Sequence, residues 1–196
     1  MQRTHFPTPV NGKLIWKALI ACALVFGATS ALAGDFQLTS SSLQANGTMP
    51  GRHVFNSFGC TGDNLSPQLS WQGEPEGTRS FAVTVYDPDA PTGSGWWHWL
   101  VFNIPSDMHS LPENSGNPEK GLLPQQTVQA RTDFGTPGYG GACPPAGDSN
   151  HHYRFIVWAL DVDQLPLTAD SSGAMIGFNL HQHMLGKAEL MVTYGR

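Results

Sequence analysis

Basic residues are scarce in this sequence: ten Lys and Arg stand against fifteen Asp and Glu in 196 residues, and three of the ten are Arg3, Lys13 and Lys17 near the N-terminus. Nucleic-acid affinity comes largely from neutralising phosphates with Lys and Arg, so no nucleic-acid binding through the overall field is expected, and any anion site must be local. Cysteine is nearly absent too. Cys22, Cys60 and Cys143 include no Cys-x-x-Cys pair, which removes the commonest spacing of a structural zinc site. No Gly-Lys-Ser/Thr follows the glycines at 138, 140 and 141, so that stretch is not a P-loop. Ser94 sits in Gly-Ser-Gly without the spacing of a nucleophile elbow. No apolar run reaches the ~20 residues of a membrane span, and there is neither an internal repeat nor a heptad.

What the N-terminus does hold is a leader pattern. Three positive charges, an apolar run over residues 18–26 and the Ala31-Leu32-Ala33 site predict a secretory signal peptide over residues 1–33. Leu19-Ile20-Ala21-Cys22 resembles a lipoprotein cleavage box, but too few apolar residues separate Lys17 from that cut to supply the ~7–15 of a signal core. Cleavage after Ala33 leaves residues 34–196 as one domain with no integral membrane segment. The expected location is periplasmic or secreted.

Gly and Pro are abundant, 22 and 15 residues, and with plentiful aromatics they read as turn punctuation in a strand-rich protein. Short strands are predicted over residues 36–38 and from 67 to 71. Residues 79–86, 97–104 and 153–160 are apolar on both faces and predict central strands, and a last strand covers 188–194. Residues 105–126 lack a period and predict a long surface connection. One helix is expected over 171–185, with Asp170 or Ser171 as N-cap, Gly186 as the stop and Met175, Phe178, Met184 and Leu185 as its apolar positions. Together these predict a mainly β fold, an antiparallel β-sandwich with one C-terminal-region helix packed at its edge.

Two loops concentrate the chemistry. Residues 86–105 carry Asp87, Asp89 and His98 at one rim of a sheet, and the Gly/Pro loop from 135 opens into a strand beginning with His151 and Tyr153. His151 and Tyr153 are two apart on a strand and share a face, while His152 takes the other. Asp87 and His98 end neighbouring strands, where the carboxylate can orient the imidazole. Each histidine taken alone is better explained as an ordinary rim residue; four polar residues beside two such loops argue for a site. Gly138, Gly140 and Gly141 could form a nest of bare amides for an anion, or a plain turn. His181 and His183 diverge on a helix and are not expected to chelate. In an oxidising compartment Cys60 and Cys143 predict a disulfide, with zinc as the alternative.

The residues also resemble a known family. Asp-Pro-Asp-Ala-Pro at 87–91, His-Trp-Leu-Val at 98–101 and Cys-Pro-Pro with His-x-Tyr across 143–153 are similar to signatures of the phosphatidylethanolamine-binding proteins, or Raf kinase inhibitor proteins. The Gly-Tyr-Gly-Gly-x-Cys-Pro-Pro-x-Gly run, Ser-Pro-x-Leu-x-Trp at 66–71 and the Tyr-Gly-Arg end resemble its bacterial branch. The resemblance spans essentially all of residues 34–196. It implies a β-sandwich with a small pocket for phosphate, acetate or a phosphorylated head group, lined by Asp87, His98, His151 and Tyr153, with Gly141, Pro144 and Pro145 as one wall and Trp96 near the mouth. Mammalian members continue into a helix bordering the pocket, so the resemblance is not carried to lipid binding or kinase inhibition.

The expected function is therefore that of an exported, non-enzymatic protein binding a small oxyanion or phosphorylated ligand, without cofactor or metal, and acting in regulation or inhibition through a protein partner; a homodimer is allowed. Asp87 beside His98 would favour a protonated ring, and the Tyr153 hydroxyl and loop amides would add hydrogen bonds. The competing readings are a protease or hydrolase inhibitor, and a metalloenzyme using His98, His151 and Asp87.

Overall fold

The computed structural model describes residues 1–3 and 35–196. Residues 4–34, which hold the rest of the leader and its cleavage site, lie outside the described residues. In chain order the regular elements are β1 (Gln37–Thr39), β2 (Leu69–Gln72), β3 (Ser80–Asp87), β4 (Trp96–Pro105), β5 (Ser110–Leu111), β6 (Val128–Gln129), β7 (His151–Leu160), α1 (Gly173–His183) and β8 (Met184–Tyr194). They form two antiparallel sheets, β1-β2-β5 and β6-β4-β3-β7-β8.

The alternation along β3 explains the layering. Phe81, Val83 and Val85 point into the core between the two sheets with Trp71, Trp99, Phe155 and Val157. Ala82 points the other way, into a second core that joins Leu100, Phe102, Ile156 and Trp158 to Ile176 and Leu180 of α1. A strand covered on both faces is apolar at successive positions, which is why β3, β4 and β7 read as near-continuous apolar runs. Each fully buried Leu, Ile or Phe side chain contributes about 1.5–3 kcal/mol relative to exposure.

Two irregularities interrupt the pairing of β3 with β4. Phe81 pairs with Ile104 but Val83 with Val101, so one extra residue sits on β4. Nearby Asn103 takes a left-handed backbone with φ 60° and accepts the Leu165 N–H through its side chain at 2.8 Å. At the other end Val85 pairs with Trp99 but Tyr86 with Trp97, leaving His98 as the extra residue. A bulge of this kind bends the strand and redirects a side chain. Trp97 packs toward α1, whereas both His98 and Trp99 turn to the sandwich side.

The helix departs from the predicted one. Its N-cap is Ser172, whose hydroxyl accepts the Met175 N–H at 3.2 Å, and its last residue is His183. The chain then enters β8 directly at Met184, because Met184 and Gly186 already pair with Leu160 and Ala159. Gly186 is thus a strand residue, not the helix stop. The buried face is Gly173, Ile176 and Leu180, while Met175, Phe178, Met184 and Leu185 are exposed. The connection after β4 is also less irregular than expected, since β5 extends the small sheet within it.

Candidate functional site

At the loop end of the large sheet lies a cavity of about 230 Å³ lined by Asp87, Trp96, His98, Pro144, His151 and Tyr153, with Pro145, Cys143, Ala90, Pro91, Thr92, Phe58 and Phe134 completing its walls. Three strands deliver its polar groups: Asp87 ends β3, His98 sits on the β4 bulge, and His151 and Tyr153 alternate inward at the start of β7. The bulge is what makes His98 part of the group, since regular alternation would have sent it toward α1 with Leu100.

Asp87 is nearly saturated. Its Oδ1 accepts from the Asp89 and Ala90 N–H groups at 2.8 and 3.1 Å, fixing the turn of the 87–91 loop. Its Oδ2 accepts from His151 Nδ1 at 2.8 Å, with both side chains almost fully buried. His151 Nε2 lies 3.5 Å from Asp148 Oδ2. On the opposite face of β7, His152 donates its backbone N–H and its Nδ1 to Asp89, both at 2.7 Å. Asp89 is held below the ordinary carboxylate range because the hydrogen bonds from His152 outweigh its partial burial.

The expected pairing of Asp87 with His98 is therefore replaced by Asp87 with His151. His98 Nδ1 instead faces the Gly140 carbonyl at 2.7 Å. A carbonyl only accepts, so Nδ1 carries a proton and Nε2 is left toward the other groups of the cavity. Burial holds His98 below its ordinary value of 6.5, opposed but not overcome by the Gly140 carbonyl and the Asp87 charge. The ring packs edge-on against Tyr153 and Phe134, at centroid distances of 5.1 and 5.3 Å. The neutral ring is thus the resting form at pH 7, contrary to the protonated one expected from an Asp87–His98 pair.

Tyr153 is buried and its hydroxyl has no hydrogen-bond partner among the described residues. Burial, with the Asp87 charge adding to it, pushes its ionisation well above the ordinary value, so it remains a neutral donor. The Trp96 indole N–H in the same wall is likewise buried without a partner. Buried donors without partners are rare and costly, about 1–3 kcal/mol each, and an acceptor bound in the cavity would satisfy both of these.

The glycine nest does not face the cavity. Tyr139 N–H donates to the Gly116 carbonyl at 2.8 Å, Gly140 N–H to the His98 carbonyl at 2.9 Å and Gly141 N–H to Asn64 Oδ1 at 2.7 Å, so these amides are committed internally. Gly141 does not line the cavity. A Cβ there would lie 2.3 Å from the His53 carbonyl oxygen and 2.5 Å from Phe55 N, so glycine is required by the close approach of two backbone segments. Pro144 and Pro145 do form wall, and the Cys60–Cys143 disulfide, with Cα atoms 6.0 Å apart, ties that wall to the 51–66 loop. Arg196 reinforces the tie by donating to the carbonyls of Pro144, Gly59 and Phe58. Among the described residues no group of three His, Cys, Asp or Glu side chains is arranged to hold a metal ion.

Sequence reasoning missed Phe58 and Phe134, which lie in loops without period. Phe58 carried one local signal, the Phe-Gly before Cys60 in a turn-rich stretch. It has φ 56° and remains 65% exposed.

A two-sheet sandwich with histidines, an aspartate and a tyrosine gathered at one end is the arrangement the sequence signatures implied, and comparison with known proteins identifies the class. The sequence model of the phosphatidylethanolamine-binding proteins matches residues 39–195. The chain belongs to the phosphatidylethanolamine-binding protein family. Among its relatives, the UPF0098 protein YbcL of Escherichia coli K12 is 50% identical over 176 residues, covering 90% of this chain and 96% of YbcL. The UPF0098 protein YbhB of the same organism is 49% identical over 160 residues, covering 81% of this chain and 99% of YbhB. The crystal structure of E. coli YbcL, described as a member of the mammalian PEBP family, superposes with a TM-score of 0.80 at 52% identity, covering 82% of this chain and 98% of that one.

Proposed function

We propose that this family member is an exported protein that binds a small oxyanion, such as phosphate or a phosphorylated head group, in the 230 Å³ cavity without turning it over, and acts in regulation or inhibition through a protein partner. The observation that carries the reading is the buried Tyr153 hydroxyl without a partner, set beside His98 and His151. The volume is below the ~300–1,000 Å³ of pockets for drug-sized ligands, which suits a tetrahedral anion and little more. The absence of turnover is supported by what lines the wall: Thr92 Oγ1 is committed to the Gly95 carbonyl at 2.5 Å and Cys143 is in the disulfide, so neither is set up as a nucleophile.

The anion must be held without Lys or Arg, since neither lines the cavity. Neutral donors and a protonatable His98 remain. An anion favours protonated His98, whose free-state value lies below 6.5. Binding should therefore strengthen as pH falls toward that free-state value and level off below it, so the plateau lies further to the acid side than an unburied histidine would give. Calorimetric titration with phosphate and phosphoethanolamine from about pH 5 to 8, a window bracketing the ordinary histidine value, checks this. His98→Ala should abolish the acid-side gain, and pH-independent affinity in the parent protein would refute the role given to His98.

Export rests on the leader pattern of residues 1–33. Mass analysis of protein recovered from the producing cell should find Gly34 as the first residue; a lipid-modified Cys22 would place the protein at a membrane surface instead.

A further inference from the structure

The phosphate-sized cavity is not the largest on the molecule. A groove of about 660 Å³ lies beside it, and the two share the rings of Phe58 and Phe134 as a common wall. The groove's volume falls in the ~300–1,000 Å³ range of small-molecule sites. Asn64, Asn117 and Thr132 in its lining are spent on the backbone, holding Gly141, Glu119 and Thr136. Asn56, Asp63, Asn114, Glu119 and Lys120 also line it, with side-chain amide, carboxylate and ammonium groups that make no hydrogen bond within the described chain.

Backbone strain gathers at the same place. Among the described residues five other than glycine have positive φ, and three of them, Phe58, Asn64 and Asn114, line this groove. Asparagine tolerates that conformation, but phenylalanine does not do so readily, and strain held in place by surrounding structure marks ligand sites more often than bare scaffold. Phe58 is kept there by the disulfide two residues on and by Arg196 on its carbonyl, leaving its ring exposed between the two cavities.

We infer that the groove is the second half of one binding site, and that the ligand is a phosphorylated polyol, such as a sugar phosphate, with its phosphate in the small cavity and its hydroxylated body lying across Phe58 in the groove. This rests on the oxyanion reading of the small cavity. Hydroxyl groups both donate and accept, which matches side-chain amides and carboxylates, and the C–H face of a sugar ring packs on an exposed aromatic ring. An acyl chain would find few apolar surfaces there beyond the phenylalanines and prolines. Two carboxylates against one ammonium, Asp63 and Glu119 against Lys120, disfavour a second phosphate in the groove, so a monophosphate is selected.

The test compares inorganic phosphate, glucose, glucose 6-phosphate and fructose 1,6-bisphosphate by calorimetry on the parent protein, on Asn56→Ala with Asp63→Ala, and on His98→Ala. Glucose 6-phosphate should bind about tenfold more tightly than phosphate, the gain of roughly two side-chain hydrogen bonds. The double variant should lose that gain while keeping phosphate affinity, because both of its positions are exposed and outside the small cavity. His98→Ala should weaken both ligands at acid pH. Co-sedimentation with phosphatidylcholine vesicles that contain phosphatidylinositol, against vesicles without it, distinguishes a lipid head group from a free sugar phosphate as the source. If phosphate binds but glucose 6-phosphate binds no more tightly, or the double variant keeps the gain, the groove proposal falls and the oxyanion reading stands. Glucose binding as well as glucose 6-phosphate, or the bisphosphate binding best, also overturns the proposal. If neither phosphate nor glucose 6-phosphate binds, both readings fall.

Discussion

Replacing Cys60 and Cys143 by alanine is expected to lower stability by about 2–5 kcal/mol, the range for loss of a native disulfide from a small domain. The bond spans 83 residues of sequence, so in the chain-entropy account its removal releases a large denatured ensemble. The native side of the argument points the same way. Both cysteines lie in loops outside the two sheets, where an isolated parallel bridge of Val54 with Ala142, including the bond from Phe55 N–H to the Ala142 carbonyl, and a few side-chain hydrogen bonds join the segments. Arg196 bridges the same loops, but its guanidinium contacts are partly exposed and cannot replace a covalent tie. Because Cys143 and Phe58 both line the small cavity, ligand affinity should fall together with stability. Equilibrium denaturation of the double variant, and of the parent protein with and without reductant, measures the effect. An unchanged midpoint would mean that the loops are held without the bond.

Asp87→Ala should cost about 3–5 kcal/mol, the usual consequence of removing one partner of a buried, hydrogen-bonded pair. The Asp87 and His151 side chains are 4% and 3% exposed, so the change leaves His151 Nδ1–H without its protein acceptor in a buried position. The same change also strips the acceptor from the Asp89 and Ala90 N–H groups and frees the turn that carries Ala90, Pro91 and Thr92 into the cavity wall. Asp87→Asn separates these roles. It retains an amide oxygen for the two loop N–H groups, and His151 can present its other tautomer toward the side-chain amide, so the stability loss should be smaller. Chemical denaturation of both variants decides the matter. A loss below ~1 kcal/mol in Asp87→Ala, no more than an ordinary surface substitution, would show that the pair does not organise the site.

The central strands were legible because two-sided burial leaves an unmistakable mark: Phe81 to Val85, Leu100 to Ile104 and Phe155 to Leu160 have nowhere polar to point. The inward side of His151 and Tyr153 was legible for a simpler reason, the two-residue period of a strand. His98 was assigned to the right rim but for the wrong partner. A bulge adds one residue without any local signature, and only the register of β3 against β4 shows that it turns His98 inward beside Trp99. The partner of Asp87 depended on which neighbouring strand lay closer to its carboxylate, and β7 flanks β3 on the side opposite β4. The helix misled because α1 is apolar on two faces: Ile176 and Leu180 reach the core, and Met175 and Phe178 are just as apolar but exposed. Gly141 looked like a ligand contact because a glycine forced by backbone crowding and one bared for an anion are identical in sequence. The same loops hid Phe58 and Phe134, whose placement rests on the disulfide and on aromatic packing at 5.9 Å between residues 76 positions apart.

The central claim is that the cavity keeps an unsatisfied donor for an anion, and Tyr153→Phe tests it by removing one oxygen atom from an otherwise unchanged wall. The hydroxyl makes no hydrogen bond within the described chain, so its loss should leave the ligand-free protein at least as stable as the parent, with the midpoint of denaturation unchanged or raised. Phosphate affinity measured by calorimetry at one acid pH should fall by about 10- to 100-fold, the worth of one hydrogen bond to an ionised acceptor. Stability held or gained while affinity is lost is the predicted result. Undiminished phosphate affinity in Tyr153→Phe would contradict the account.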